Sequence, residues 1–196
     1  MAHFVRVSLL VGLVLGAAPM AHADSILNGG FESAAWADWT TKLAPPSGSL
    51  LFVGSHAHSG SDAAWFGAIG GVDDQLSQTF ATVSGGTYVV DFWLAHGGRS
   101  RGNDFSVWWN DTPILALVNA RQFGYTEYTF QEVAPGPTAQ LRFSGRDLHN
   151  YYYLDDVSVD LNTVVPTPNP EPASLLLLGS GLAAMVHSRR RATRQA

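Results

Sequence analysis

The sequence predicts an all-β fold, an antiparallel sandwich of two sheets, held between two apolar export segments. Three observations lead there. Between residues 24 and 163 no amphipathic helical period is found. Instead, short alternating runs recur, separated by Gly, Pro, Asn and Asp. The chain also has no cysteine, while Phe, Trp and Tyr make up 11% of it. An exported domain without disulfides must rest on a large core, a metal, or both. The stretch between the end segments, about 140 residues, is long enough for one domain with a sizeable core.

Residues 1–23 read as a signal peptide. His3 and Arg6 lie in a short n-region, Val7 to Ala18 form the apolar core, and "AHA" (Ala21 to Ala23) is a small-x-small cleavage site. Processing is expected before Asp24. The sandwich is assigned to 24–162. "TYVVDFWLA" (Thr87 to Ala95) puts Tyr88, Val90, Phe92 and Leu94 on one face, and "FSVWW" puts Phe105, Val107 and Trp109 together. Tyr128 with Phe130, and Leu141 with Phe143, repeat the pattern. Further strands are expected at Leu50 to Val53, Ala63 to Gly67, Gln75 to Ala81, Pro113 to Val118 and Tyr151 to Asp160. "SGG" (Ser84 to Gly86), "HGGRSRGN" (His96 to Asn103) and "APGP" (Ala134 to Pro137) supply turns or loops. Some ten strands around one core fit a sandwich, with a barrel as the alternative. No period of 20–50 residues repeats, which excludes a propeller or solenoid.

After the sandwich, "VVPTPNPEP" has too few backbone donors for a sheet and reads as an extended stalk over 163–173. Residues 174–196 are an apolar helix and a basic tail. The run from Ser174 to His187 is short for a bilayer span and is weakened by Gly179 and Gly181. It is nevertheless apolar on every side, unlike a helix packed on a globular core. Arg189, Arg190 and Arg191 follow at once and mark that side as cytoplasmic.

Setting both ends aside changes the charge. Five of the eleven basic residues lie in the end segments, so from Asp24 to Glu171 six basic residues face all sixteen acidic ones, a balance of −10. Such a surface argues against nucleic acid as a partner and suits an extracellular protein or one that binds cations.

The tail, with Pro170-Glu171-Pro172, the apolar helix and the arginine cluster in that order, resembles the PEP-CTERM bacterial surface-sorting signal. The resemblance covers about the last thirty residues. It implies recognition and removal of the tail by a membrane-embedded exosortase. The protein would be held briefly in the inner membrane, C-terminus cytoplasmic, and then passed to the cell surface or extracellular polymer.

Within 24–162, "ILNGGFESAAWADWT", "HSGSDAAWFG", "LSQTFATVSGGTYVVDFWLA", "AQLRFSG" and "YYYLDDVSV" together resemble the galactose-binding-like jelly-roll of many carbohydrate-binding modules. That resemblance implies a structural calcium tying the first strand to the last, with side-chain ligands at Glu32 and at an Asp of "LDDV". Alternation selects Asp155, which it places on the face of Val157 and Val159, where a carboxylate needs a cation or several donors. The alternative is that Asp155 or Asp156 caps a strand end in solvent.

For ligand binding the aromatics lead. If Tyr88, Val90, Phe92 and Leu94 face in, Trp93 and Asp91 face out, and the same parity turns Trp108 outward. An exposed indole stacks on the apolar face of a sugar while nearby polar groups fix its hydroxyls. Arg99, Arg101 and Asn103 lie on the connection between those two strands and are expected near the same end of the sheet. The competing reading puts both indoles under a loop or in sheet packing. Of Tyr151 to Tyr153, at least one must face the core. His56 and His58 would share a face if on a strand, but no third zinc ligand has matching spacing, so they are expected to be loop residues. No G-x-S-x-G is present, and Asp73-Asp74 reads as a turn before a strand. The expectation is a non-catalytic surface protein, possessing a sugar site or serving as a purely structural matrix component. A secreted glycan hydrolase is the third alternative.

Overall fold

Alternating burial along the chain builds ten strands: β1 (Thr40–Lys42), β2 (Leu51–Gly54), β3 (Ala63–Phe66), β4 (Asp74–Ala81) and β5 (Thr87–His96), then β6 (Asn103–Trp109), β7 (Thr112–Val118), β8 (Phe123–Val133), β9 (Thr138–Asp147) and β10 (Tyr152–Leu161). The computed structural model describes residues 24–45, 48–99 and 101–163. The chain divides into two units, Met1–Leu161 and Asn162–Ala196, and the strands belong to the first. The signal peptide, the stalk from residue 164 onward and the sorting tail lie outside the described residues. Among the described residues no helix is long and apolar enough to cross a membrane.

The strands form two antiparallel five-stranded sheets, one ordered β1-β4-β9-β6-β7 and the other β2-β3-β10-β5-β8. Between them lies a core rich in aromatic rings. Phe66, Phe92, Phe105, Phe143 and Tyr152 are fully buried, and edge-on pairs such as Phe66–Phe105 (5.3 Å) and Phe92–Phe143 (5.3 Å) cross from one sheet to the other. Each such ring contributes roughly 1.5–3 kcal/mol by leaving water. The expected parity holds: Tyr88, Val90, Phe92 and Leu94 are buried on β5, and Phe105, Val107 and Trp109 on β6. Tyr152 is the member of the tyrosine triplet that faces the core.

Two elements differ from expectation. Thr40–Lys42 forms a strand that no hydrophobic alternation announces, because it is an edge strand bonded only to β4. Asp73-Asp74 is more than a turn. Asp74, fully buried at the start of β4, accepts the backbone N–H of Ala44 (2.8 Å) and of Leu50 (2.9 Å), closing the loop between β1 and β2.

Candidate functional site

The opening Asn28-Gly29-Gly30-Phe31-Glu32 has a separate physical reason at each position. Asn28 adopts positive φ (52°), accepts the Ser33 N–H through Oδ1 (3.0 Å), and donates from Nδ2 to the Ala37 carbonyl (3.2 Å). Gly29 accepts the Val157 N–H (3.0 Å) so closely that a side chain would overlap the Val157 backbone. Phe31 is fully buried, and Glu32 Oε1 accepts the N–H groups of Ser61 (2.7 Å) and Asp62 (2.8 Å). These bonds favour the carboxylate and hold Glu32 below its ordinary range. Gly60, at φ 64°, sits where a Cβ would strike that carboxylate.

Asp155 lies across from this loop, and here the sequence reading needs correcting. Asp155 does not share a face with Val157 and Val159. A β-bulge between Asp155 and Ser158, with Asp156 at φ 48°, reverses the alternation. Asp155 therefore pairs with Trp93 on the outer face, whereas Val157 and Val159 enter the core. It is still fully buried, because the 54–62 loop covers it. Its Oδ2 accepts the N–H groups of His58 (2.7 Å) and Ser59 (3.1 Å), and its Oδ1 accepts that of Asp156 (2.8 Å). Burial pushes its pKa above the ordinary range despite these bonds. Asp156 holds the same loop through Ser59 Oγ (2.6 Å) and His58 Nδ1 (2.6 Å).

Glu32, Asp155 and Asp156 meet around Gly30: a side chain added there would lie 3.7 Å from Asp156 Oδ1, 3.8 Å from Glu32 Cγ and 4.0 Å from Asp155 Oδ1. Most of their oxygens face amide, hydroxyl or imidazole donors, while Glu32 Oε2 accepts no hydrogen bond from the described residues. Among the described residues no group of three acidic or histidine side chains has metal-holding geometry as it stands.

The two outward tryptophans do not form one site. β5 belongs to one sheet and β6 to the other, so Trp93 and Trp108 occupy opposite outer faces, and the connection bearing Arg99 crosses between sheets. Trp93 is also roofed. His58 lies flat on it (3.7 Å between ring centres, 9° between planes), which is the loop-covered alternative. His56 and His58 are loop residues rather than strand residues, and both serve packing: His56 stands 4.3 Å from Tyr153 and accepts the Tyr125 hydroxyl on its carbonyl. Trp65, Tyr151 and Tyr153 continue this layer, which forms a second, smaller core under the 54–62 loop. Asp91 sits two residues before Trp93, opposite Thr129 and Ser158.

Trp108 has different surroundings. It is partly exposed, donates from Nε1 to Ser106 Oγ (3.0 Å), and carries the Arg142 guanidinium 4.8 Å above its ring. The Arg142 Nε has no hydrogen-bond partner. The outward residues of β9 around it are Gln140, Ser144 and Arg146. Arg146 bonds Asp104 and lies 3.3 Å from Asp73, whose pKa is raised by burial and by the neighbouring Asp104 charge. Sequence reasoning missed Arg142 because its role depends on the β6–β9 pairing that sets it opposite Trp108.

Residues 170–191 match the PEP-CTERM protein-sorting motif. No curated protein matches the chain in sequence. The sandwich is similar to TmCBM61 in complex with β-1,4-galactotriose (16% identity, 71% of this chain and 99% of that one, TM-score 0.53). It is similar to a family 16 carbohydrate-binding module (18% identity, 70% and 99%, TM-score 0.51). It also resembles the enzymatically active domain of bacteriophage CBA120 tailspike protein 4 (15% identity, 70% and 21%, TM-score 0.52). The fold is thus a jelly-roll sandwich, on a chain whose tail carries the sorting motif of exosortase-handled surface proteins.

Proposed function

We propose that this chain is exported through its N-terminal signal, held by its C-terminal helix, released by exosortase near Pro170-Glu171-Pro172, and displayed at the surface as a non-catalytic carbohydrate-binding protein. The observation that carries the binding reading is the Trp108–Arg142 pair, set on a polar sheet face of a sandwich similar to carbohydrate-binding modules. The Nε1–Ser106 bond fixes the indole, so little rotamer freedom is lost on stacking against a sugar. Guanidinium and amide groups beside it suit the hydroxyls. A panel of neutral and acidic polysaccharides in affinity electrophoresis tests this: Trp108→Ala should abolish retardation by the bound glycan without unfolding the protein. Retained binding would remove Trp108 from the site.

A second reading concerns calcium. Glu32 and Asp155 would supply its side-chain oxygens, Glu32 through the unbonded Oε2, beside a cluster of three carboxylates faced only by His58 among titratable bases. The ion would screen the cluster and pin the 54–62 loop to β10. Its experimental signature is a melting temperature that falls in chelator.

A further inference from the structure

Three of the six basic residues between Asp24 and Glu171 gather at one end of the sandwich, where the β5–β6 and β7–β8 connections meet. A cleft of about 550 Å³ is lined by Arg99, Arg101, Asn119, Ala120 and Arg121, and a second of about 490 Å³ by Arg99, Arg121 and Gln122. No acidic side chain lines either cleft. Among the described residues none of the three arginines has an ion-pair partner, whereas Arg146 is paired with Asp104. Arg99 donates from Nε to Gln122 (2.8 Å), and Arg101 and Arg121 make no side-chain hydrogen bond to the described residues.

The backbone beneath these arginines is fixed from inside. Asn103, 1% exposed, donates to the Ala120 carbonyl (3.2 Å) and accepts the Ala120 N–H (2.9 Å). Asn119 Oδ1 accepts the Gly102 N–H (2.8 Å), and buried His96 bonds the Arg121 carbonyl (3.2 Å). Buried polar groups thus hold two surface connections in register, so the backbone beneath the arginines does not have to be ordered by a ligand. Three like charges without counter-charges, in a stretch from Asp24 to Glu171 of net charge −10, form a local site for an anion.

We propose that this cleft binds an acidic saccharide, one carrying carboxylate or sulfate groups, through Arg101 and Arg121 with Arg99 at the rim. The planar guanidinium fork matches either group with two parallel hydrogen bonds. Nucleic acid fits less well: among the described residues that line the cleft there is no aromatic ring to stack a base. The proposal rests on the carbohydrate-binding reading and assigns it a ligand class.

The test uses the full chain in detergent, titrated at low salt with polygalacturonate, a sulfated galactan, neutral galactan and a thymidine oligonucleotide. Binding of either acidic polymer, weakened at least tenfold by R101A/R121A, unchanged by K42A, which removes one positive charge outside the cleft lining, and reduced at higher ionic strength, is the expected result. Preference between the two polymers assigns carboxylate or sulfate. An unchanged melting curve for R101A/R121A excludes unfolding as the cause. Binding of neutral galactan alone, or acidic-polymer binding indifferent to R101A/R121A, overturns the cleft but leaves the carbohydrate reading standing. No binding of any saccharide removes both. Equal binding of the oligonucleotide overturns the saccharide assignment in favour of a general polyanion site.

Discussion

Trp93 and Trp108 share strand parity and partial exposure, yet their neighbours give them different roles. His58 lies flat against Trp93, and such ring pairs add ~0.5–1.5 kcal/mol beyond area burial. Trp93→Ala should therefore destabilise the fold by about 1–3 kcal/mol and leave glycan binding intact. Denaturant melts of both variants check this, since Trp108→Ala should show the opposite pattern. Asp155 gives a prediction with a sign. Burial raises its pKa, so the folded chain holds that proton more tightly than the unfolded chain. Its contribution to stability is then greatest below the ordinary aspartate range and declines as pH rises through the raised value. In chelator, Asp155→Asn should lower the melting temperature overall but flatten its fall with rising pH above ~4. A slope identical to the parent's would refute the burial argument.

At the scale of elements, the alternation of β4, β5, β6 and β9 was legible because each of these strands buries every second residue. Parity failed in β10. A bulge adds a residue without any glycine to signal it, since Asp156 itself adopts the left-handed conformation. At β5 and β6 parity held but the expected common sheet did not, because their separate sheets depend on long-range pairing that no local pattern encodes. The clamps across elements were equally hidden. Asp74 should matter more than a turn residue, because Asp74→Ala leaves two N–H groups without their acceptor, at a cost of about 2–4 kcal/mol; a urea melt measures it. If calcium joins the 54–62 loop to β10, chelation should lower the melting temperature and Glu32→Ala should remove most of that sensitivity. A site occupied only in the folded state adds ~2.7 kcal/mol at a hundredfold excess over Kd. Melting curves unchanged by chelator would rule the ion out.

Over the whole molecule, charge separates the cargo from its address. Between the export segments sixteen acidic residues outnumber six basic ones, whereas the last eight residues carry four arginines and no acid. Under the proposed function the sandwich would supply the binding surfaces and the tail would determine where they are displayed. The tail was the part of the function most legible in sequence, because its order of Pro-Glu-Pro, apolar run and arginines is local and needs no tertiary pairing. Under the proposed function the short, glycine-containing apolar run would be a weak anchor, sufficient for a protein held only until processing. Each arginine would cost ~2.5–3.5 kcal/mol at the centre of a span, which would keep the tail cytoplasmic until cleavage. Changing Pro170, Glu171 and Pro172 to Ala should leave a membrane-bound, uncleaved form. The most direct measurement is intact-mass spectrometry of the surface-associated protein from its native host. The account requires a chain that begins at Asp24 and ends near Pro172; a surface-associated chain still ending in "SRRRATRQA" would contradict it and leave an ordinary tail-anchored protein.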